Sequence, residues 1–567
     1  MNEKYISLLR KYCDTLVRSQ LRGTGERSLD GGILCRPCAM IHGRIADSVY
    51  PLVYMAKLTE NVNYLHAAYL AFDWSENVLC DDGGMYNDTT KTWQGTTVFF
   101  AVSLVEALHT GADIIDPKEK AKWEERLRKN GAWLYRVLDE THSANINYLA
   151  TNSLALHLIG EYFDLPEYIE KAARLADFSM AHFTENGFLW GENAHSGRGD
   201  HGRESITAKG CRPIDMGYNL EESLPALVKY AYFSNNEELL SRLEKILVSQ
   251  LEFFLPDGAI DNSFGTRNNK WTYWGSRTSD GCISMFALLA DRNPLFAEIA
   301  DRTYTLLEKN TEDGHLYGGP HYHRHGILPC IHHTFPHAAA LAFAVEHGKK
   351  AEKAGYLPVD RANPVQYYPE IDTLKIAVGK YRATLTGYDC TTGEGNHVSG
   401  GTLTLLYHYD NGPIIAGSTL DYRNSEANNF QLPLNLTEHR SLVPRLEIFS
   451  GGRRYTSAYD DTVKMNAVEK DRAVEVTAVS GLWTGAGARL AGDLDRKVKY
   501  TFTADGVTVR IENCDGAKFI LPLICGIPDV ICGSLEKSEP IFYLTGGFEA
   551  TEYVIEPQNG VIEFKIT

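Results

Sequence analysis

Apolar positions divide this chain into two regimes. From residue 1 to about 348 they recur at helical spacing, and the helical segments alternate in kind. Segments near 2–22, 62–79, 117–139, 166–184, 236–254 and 295–309 have a charged face, as in KEKAKWEERLRKNGAWLYRVL. Those near 44–59, 94–110, 147–163, 217–233, 275–290 and 332–347 are apolar nearly all round, as in TTVFFAVSLVEAL and SLALHLIGEYF. A helix with one polar face lies on the outside, and one apolar on every side is enclosed. Six outer helices alternating with six inner ones predict an (α/α)6 toroid over residues 1–348. A linker rich in charge and proline occupies 349–371. Beyond it, from 372 to 567, segments such as TLKIAVG, RKVKYTFTA and GVTVRIENC alternate apolar and polar residues between turn signals. They predict an antiparallel β-sandwich, so the fold class is α+β and multidomain.

Short connections such as KLTENVN (57–63) and FDLPE (163–167) lead from an inner helix to the next outer one. Connections from outer to inner helix are long and Gly-rich: 80–93, 185–216, 255–274 and 310–331. The elaborate loops therefore gather on one face, where function usually resides. The inner-helix starts on that face are polar for enclosed segments. They carry His42, Arg44 and Asp47; Trp93 and Gln94; Asn145, Asn147, Tyr148 and Asn152; Asp215, Tyr218, Asn219, Glu221 and Glu222; Trp271, Tyr273, Trp274, Arg277 and Asp280. The sixth start is the histidine cluster in YGGPHYHRHGILPCIHHTFPH (317–337). Helix N-termini add free N–H groups and a positive dipole end. The pattern predicts a bowl for a polar, anionic ligand.

Composition narrows the partners. A net charge of −17 argues against the basic surface that nucleic acid needs, but not against an anionic small substrate. There is no apolar run of ~18 residues and no charged-then-apolar leader in MNEKYISLLRKYCDTLVRSQ, so no membrane partner and a cytoplasmic location are expected. Eleven scattered cysteines, an odd number, favour reduced thiols. Cys35 and Cys38 with His42 have part of a zinc spacing, but no second ligand pair is local, so two buried thiols are expected. His333 and His337, four residues apart, could hold a metal, yet no HExxH pattern accompanies them. No metal or other cofactor is expected. The sequence is compatible with a homo-oligomer.

Two stretches carry the remaining chemistry. In GTRNNKWTYWGSRTSDG (265–281), Arg267, Lys270 and Arg277 are interleaved with Trp271, Tyr273 and Trp274. Aromatic faces stack on a pyranose, and an Arg fork grips a carboxylate. A uronic acid presents both surfaces. The plainer reading is a loop of packed aromatics with an Arg277–Asp280 ion pair. In IDMGYNLEES (214–223), Tyr218 and Glu222 share a helix face beside Glu221. Carboxylates in a partly dry site have raised pKa values and can protonate a leaving oxygen. Asp47, Asp215 and Asp280 are candidates for a second carboxylate. Eight of the 19 histidines lie between His315 and His347, and imidazole exchanges protons near neutral pH. The candidate catalytic set is Glu221, Glu222, Tyr218, His333 and His323. The candidate binding set is Arg277, Arg267, Trp271, Tyr273, Trp274, Asp280, Asn147, Asp47, His332, His337 and Tyr322. Whether the sandwich lends a residue such as His397 is left open.

The toroid-plus-sandwich pattern resembles carbohydrate-active enzymes that act on uronic-acid polymers. The stretches 261–281, 214–223 and GGTLTLLYHYDNGPIIAGS (400–418) look most like the exo-β-glucuronidases of glycoside hydrolase family 154, and the architecture is also similar to the heparinase II/III-like polysaccharide lyases. The first resemblance implies an exo-acting hydrolase that releases a uronic acid, β-glucuronic acid, from an oligosaccharide by carboxylate acid/base catalysis. The second implies β-elimination, in which Tyr218, Tyr273, Tyr322, His323 or His333 removes the proton alpha to the carboxyl and Asn147 or Arg277 neutralises that group. The hydrolase is the expectation here and the lyase the alternative. A non-catalytic sugar-binding scaffold would lack the acid–base groups, and a sugar epimerase would lack the sandwich.

Overall fold

In the computed structural model the described residues are 2–567 other than 92, 142–144, 193–205, 327, 391–397, 421–440, 525–529, 533–534 and 544. The outer helices are α1 (Asn2–Ser19), α3 (Val62–Trp74), α5 (Pro117–Val137), α7 (Pro166–Met180), α9 (Glu237–Gln250) and α11 (Pro294–Lys309). The inner ones are α2 (Val49–Thr59), α4 (Thr97–Thr110), α6 (Ile146–Phe163), α8 (Leu224–Phe233), α10 (Ile283–Leu288) and α12 (Thr334–His347). Each inner helix touches the next, and α12 returns to α2, so the ring closes as an (α/α)6 toroid.

The two kinds of helix begin differently. Asn61, Asp116, Asn236 and Asn293 accept hydrogen bonds from backbone N–H groups at the starts of α3, α5, α9 and α11. Among the described residues, none of the inner helices shows such a side-chain cap. Their positive ends are left to the loop face. One inner segment starts later than its periodicity suggests: residues expected to open the fifth form a small hairpin, Trp271–Thr272 against Gly275–Ser276, and α10 begins only at Ile283. At the opposite end of the bore, Tyr50 and Thr110 donate to Glu346 at 2.7 and 2.9 Å, and Lys229 faces Glu106 at 3.5 Å.

The C-terminal part is antiparallel throughout its described strands, which pair into three sheets. The first runs Gly412–Ala416, Thr402–His408, Tyr381–Thr386, Thr373–Val378, Val365–Tyr368, so its edge strand begins inside the expected linker. The second is built on Lys518–Ile524, between Arg445–Ser450 and Phe548–Ile555. The third is centred on Ala473–Ser480, Arg496–Thr503 and Gly506–Glu512. Leu385, Leu406, Val476, Phe502, Val509 and Leu521 join them in one apolar core.

The sandwich docks on the loop face of the toroid. Buried Asp261 accepts from Lys375 Nζ at 3.1 Å and Thr384 Oγ1 at 2.6 Å. Tyr388 Oη donates to the Arg212 carbonyl at 2.6 Å. The His321 N–H donates to the Gly547 carbonyl at 3.0 Å. Gly319 is required at this seam, because a Cβ there would overlap the Gly546 carbonyl.

Candidate active site

The inner-helix starts converge on Arg44. It rides the tight turn Gly43–Ser48 ahead of α2, where a Cβ on Gly43 would overlap the Tyr86 and Asn87 carbonyls. Arg44 Nε donates to Asp47 at 2.8 Å, and one terminal nitrogen reaches Asp280 at 2.5 Å. The other lies 3.3 Å from the Thr278 carbonyl and 4.0 Å from Glu222. Its guanidinium sits 3.9 Å from the centre of the Phe99 ring. Burial works against this charge, but Asp280, Asp47 and Glu222 outweigh it and hold Arg44 protonated.

The carboxylates respond in the opposite sense. Burial pushes Asp47 up to about 7 against the pull of Arg44. Burial, with the charge of Asp280 adding to it, pushes Glu222 well above the usual carboxylate range. One guanidinium cannot sustain two buried carboxylates beside the partly exposed Asp280, so the cluster keeps protons near neutral pH. A cavity of about 50 Å³ lies beneath, lined by Arg44, Asp47, Glu222 and Asp280 and also by Glu106 and Lys229.

Tyr218 flanks this cluster. The Asp215 carboxylate accepts the Tyr218 N–H at 3.1 Å and opens the turn Met216–Tyr218. The chain then widens into a π-helical turn, Asn219–Ser223, before α8; such turns recur at functional sites. The phenol oxygen is 2.7 Å from Thr278 Oγ1 and accepts from Lys270 Nζ at 3.1 Å. The Arg267 guanidinium covers the ring, 3.6 Å from its centre. Arg267 is held in turn by Asp215 at 2.9 Å and by Glu192. Glu192 also accepts the Asn147 backbone N–H at 3.0 Å. Burial raises Glu192 to about 7 despite Arg267. Thr278 joins the two halves, its hydroxyl on Tyr218 and its carbonyl on Arg44, at φ 63°. That left-handed conformation is costly for a β-branched residue and is found where surrounding structure imposes it.

Neighbouring residues on a helix point about 100° apart, and this separates the two glutamates. Glu222 enters the bowl. Glu221 turns into the 275–282 loop, where it accepts from the Ser279 hydroxyl at 2.8 Å, the Cys282 N–H at 3.2 Å and the Ser276 N–H at 3.3 Å. His337 Nε2 lies 3.7 Å away. Glu221 braces the loop and does not face the cavity.

The aromatic residues differ from expectation for a related reason. Trp271 and Trp274 donate their indole N–H groups to the Ile260 and Tyr317 carbonyls at 2.9 and 2.7 Å. Tyr273 donates to Asp257 at 2.7 Å and meets Phe548 of the sandwich. All three are buried and form wall rather than stacking platforms. His333 and His337 pack edge-on against Trp274, with their Nδ1 atoms 3.2 and 2.9 Å from the Leu316 and His333 carbonyls. Tyr322 is buried, whereas the His323 side chain is 63% exposed near Glu312, outside the bowl. Arg277 donates to the Asn269 carbonyl.

His332 is different. It is buried beside His42, its two ring nitrogens have no hydrogen-bond partner among the described residues, and burial, then Arg44 and His42, hold it neutral. The Oδ1 of Asn147 and the amide of Asn219 are likewise unmatched. Buried polar atoms are seldom left so, and these mark where a polar ligand would sit.

Of the expected residues, Asp47, Asp280, Glu222, Tyr218 and Arg267 are brought together. Arg44, Lys270, Thr278 and Glu192 complete the cluster. Arg44 and Lys270 were legible as polar residues in motifs, while Thr278 and Glu192 carry no sequence signal. His397 lies outside the described residues.

Known proteins share the fold and correct the expected chemistry. The ulvan lyase N-terminal domain family matches residues 9–360, and the ulvan lyase C-terminal domain family matches 365–531. A broad-specificity ulvan lyase of Formosa agariphila is 34% identical over 530 residues, covering 91% of this chain and 82% of the relative. Among solved structures, heparinase III has a TM-score of 0.52 at 10% identity, over 91% of this chain and 75% of that one. The chondroitin AC lyase of Streptomyces coelicolor A3 has a TM-score of 0.53 at 10% identity, over 100% and 79%. These two likenesses concern the fold. The family match overturns the expected hydrolase: the resemblance to family 154 glucuronidases does not hold, and with it goes the role of Glu221 or Glu222 as acid for a glycosidic hydrolysis. What remains is a uronic-acid polysaccharide-degrading enzyme. The chain belongs to the ulvan lyase family.

Proposed function

We propose that the protein is a polysaccharide lyase acting on ulvan, and that elimination takes place beside Tyr218. The family and the Formosa relative support the substrate. The observation that carries the site is the phenol oxygen of Tyr218, set between Thr278 Oγ1 and Lys270 Nζ under the Arg267 guanidinium. Three of the four competing bases are engaged elsewhere: Tyr273 with Asp257, His333 through Nδ1 with the Leu316 carbonyl, and His323 on the outside.

In the proposed reaction a uronate binds with its carboxylate toward Arg44 and the Asn147 amide. Protonated Asp47 and Glu222 donate hydrogen bonds to it, so it gains acceptance without a further negative charge. Neutralising that carboxylate acidifies the C5 proton alpha to it. Tyr218, with Lys270 and Arg267 supplying counter-charge to its phenolate form, takes this proton. The C5–H electron pair becomes the C4–C5 double bond, the C4–O4 bond breaks, and O4 leaves with a proton returned by the phenol. No water is consumed.

The test is direct. Ulvan incubated with the protein should gain ultraviolet absorbance from the new double bond conjugated to the carboxyl. Tyr218→Phe should lower kcat about 10²–10⁴-fold while the circular dichroism spectrum and the melting temperature are preserved. Full activity in that variant overturns Tyr218 as the proton carrier, and reducing-end release without absorbance gain overturns elimination.

A further inference from the structure

Four side chains outside the proposed reaction meet at one buried point: Cys35, Cys38, His42 and Cys330, whose sulfur and ring-nitrogen atoms all lie within 4.8 Å of one another. Cys35 and Cys38 sit on and just after the strand Leu34–Cys35, which pairs with Met40–Ile41. Between the two strands the chain turns at Ala39 with φ 52°, left-handed without being glycine. Cys330 comes from nearly 300 residues away, in the loop that leads to α12.

The spacings are those of ligands around one atom. Cys330 Sγ is 3.5 Å from Cys35 Sγ, 3.6 Å from Cys38 Sγ and 3.5 Å from His42 Nε2. A disulfide would bring two sulfurs to about 2.05 Å. A tetrahedral zinc with Zn–S of about 2.3 Å and Zn–N of about 2.0–2.1 Å sets its ligand edges at about 3.8 Å for S···S and about 3.5 Å for S···N. Three thiols and an imidazole have no apolar reason to converge from both ends of a domain.

From this geometry we infer that Cys35, Cys38, His42 and Cys330 form a structural zinc site. Four protein ligands complete a tetrahedron and leave no position for water or substrate, so the ion is closed off from chemistry. Its place gives it a task. His42 precedes Arg44 by two residues, and Cys330 precedes His332 by two. The ion ties the hairpin that leads into the Arg44 turn to the loop that leads into the His332 turn, and so fixes the bowl from two distant parts of the chain.

The test uses the full chain purified without chelator after growth with zinc in the medium. Elemental analysis should find about one zinc per chain, released stoichiometrically when a mercurial blocks the thiols. Cys330→Ala and Cys38→Ala should lose the ion and melt at lower temperature. His42→Cys, which supplies a fourth thiolate, should keep it, separating ligation from packing. Should the alanine variants fail to fold, cobalt exchanged into the unmodified chain should show thiolate charge-transfer bands and the intense visible bands of a tetrahedral site. A folded chain without zinc after dialysis against it, or one whose bound cobalt lacks thiolate bands, overturns the site. The metal readout is independent of whether the chain cleaves ulvan.

Discussion

Asp47 shows how one buried side chain couples the site to pH. It holds its proton to about pH 7 in the folded chain, while an unfolded aspartate releases it near 4. A carboxyl bound more tightly to its proton when folded loses stability as pH rises between those values, and above the upper one the loss is complete. Asp47→Asn never ionises, so the variant should gain on the parent between about pH 4 and 7 and hold a constant difference beyond; urea titrations across that range measure it. The two adjacent glutamates should part company. Glu221→Gln puts an amide where three donors converge and should cost about 1–3 kcal/mol in urea unfolding. Glu222→Gln should unfold no more easily than the parent above pH 7, yet lose turnover. At this scale the sequence was half legible. Polar residues at apolar helix starts announced Arg44, Asp47 and Tyr218. They could not tell Glu221 from Glu222, because that depends on a helical angle and a loop folded beside it. Cys330 was invisible as a proposed ligand, since its partners lie nearly 300 residues away in the sequence.

Elements were read more securely than contacts. Inner helices that are apolar all round can only be enclosed, so their number and order follow from periodicity alone. The errors fall where backbone competes with pattern. WTYWGS turns back on itself as a hairpin, so its aromatic residues face a wall and not the cavity. The π-helical turn at Asn219–Ser223 changes a hydrogen-bond register without changing which residues are apolar, and no sequence period reports it. Thr278 follows the same logic, its left-handed backbone fixed by the Arg44 and Tyr218 contacts on either side.

For the whole molecule, the seam between toroid and sandwich decides how the bowl is roofed. Three sheets were not legible because strands such as Arg445–Ser450 and Lys518–Ile524 pair across more than seventy residues, and pairing order leaves no mark on alternation. Gly319→Ala drives a methyl into the Gly546 carbonyl and should cost about 1–3 kcal/mol. Calorimetry should show the melting temperature lowered, and an unchanged trace would mean that the two parts do not lean on each other here. The far end of the bore has a consequence of its own. Tyr50, Thr110 and Glu346 tie three inner helices together there, and Lys229 pairs with Glu106 between α8 and α4. With its inner helices laced together there, the vessel opens toward the loop face. Under the proposed reaction each cut is made on a segment dipped in from the loop face, and the fragments back out through the mouth by which they arrived.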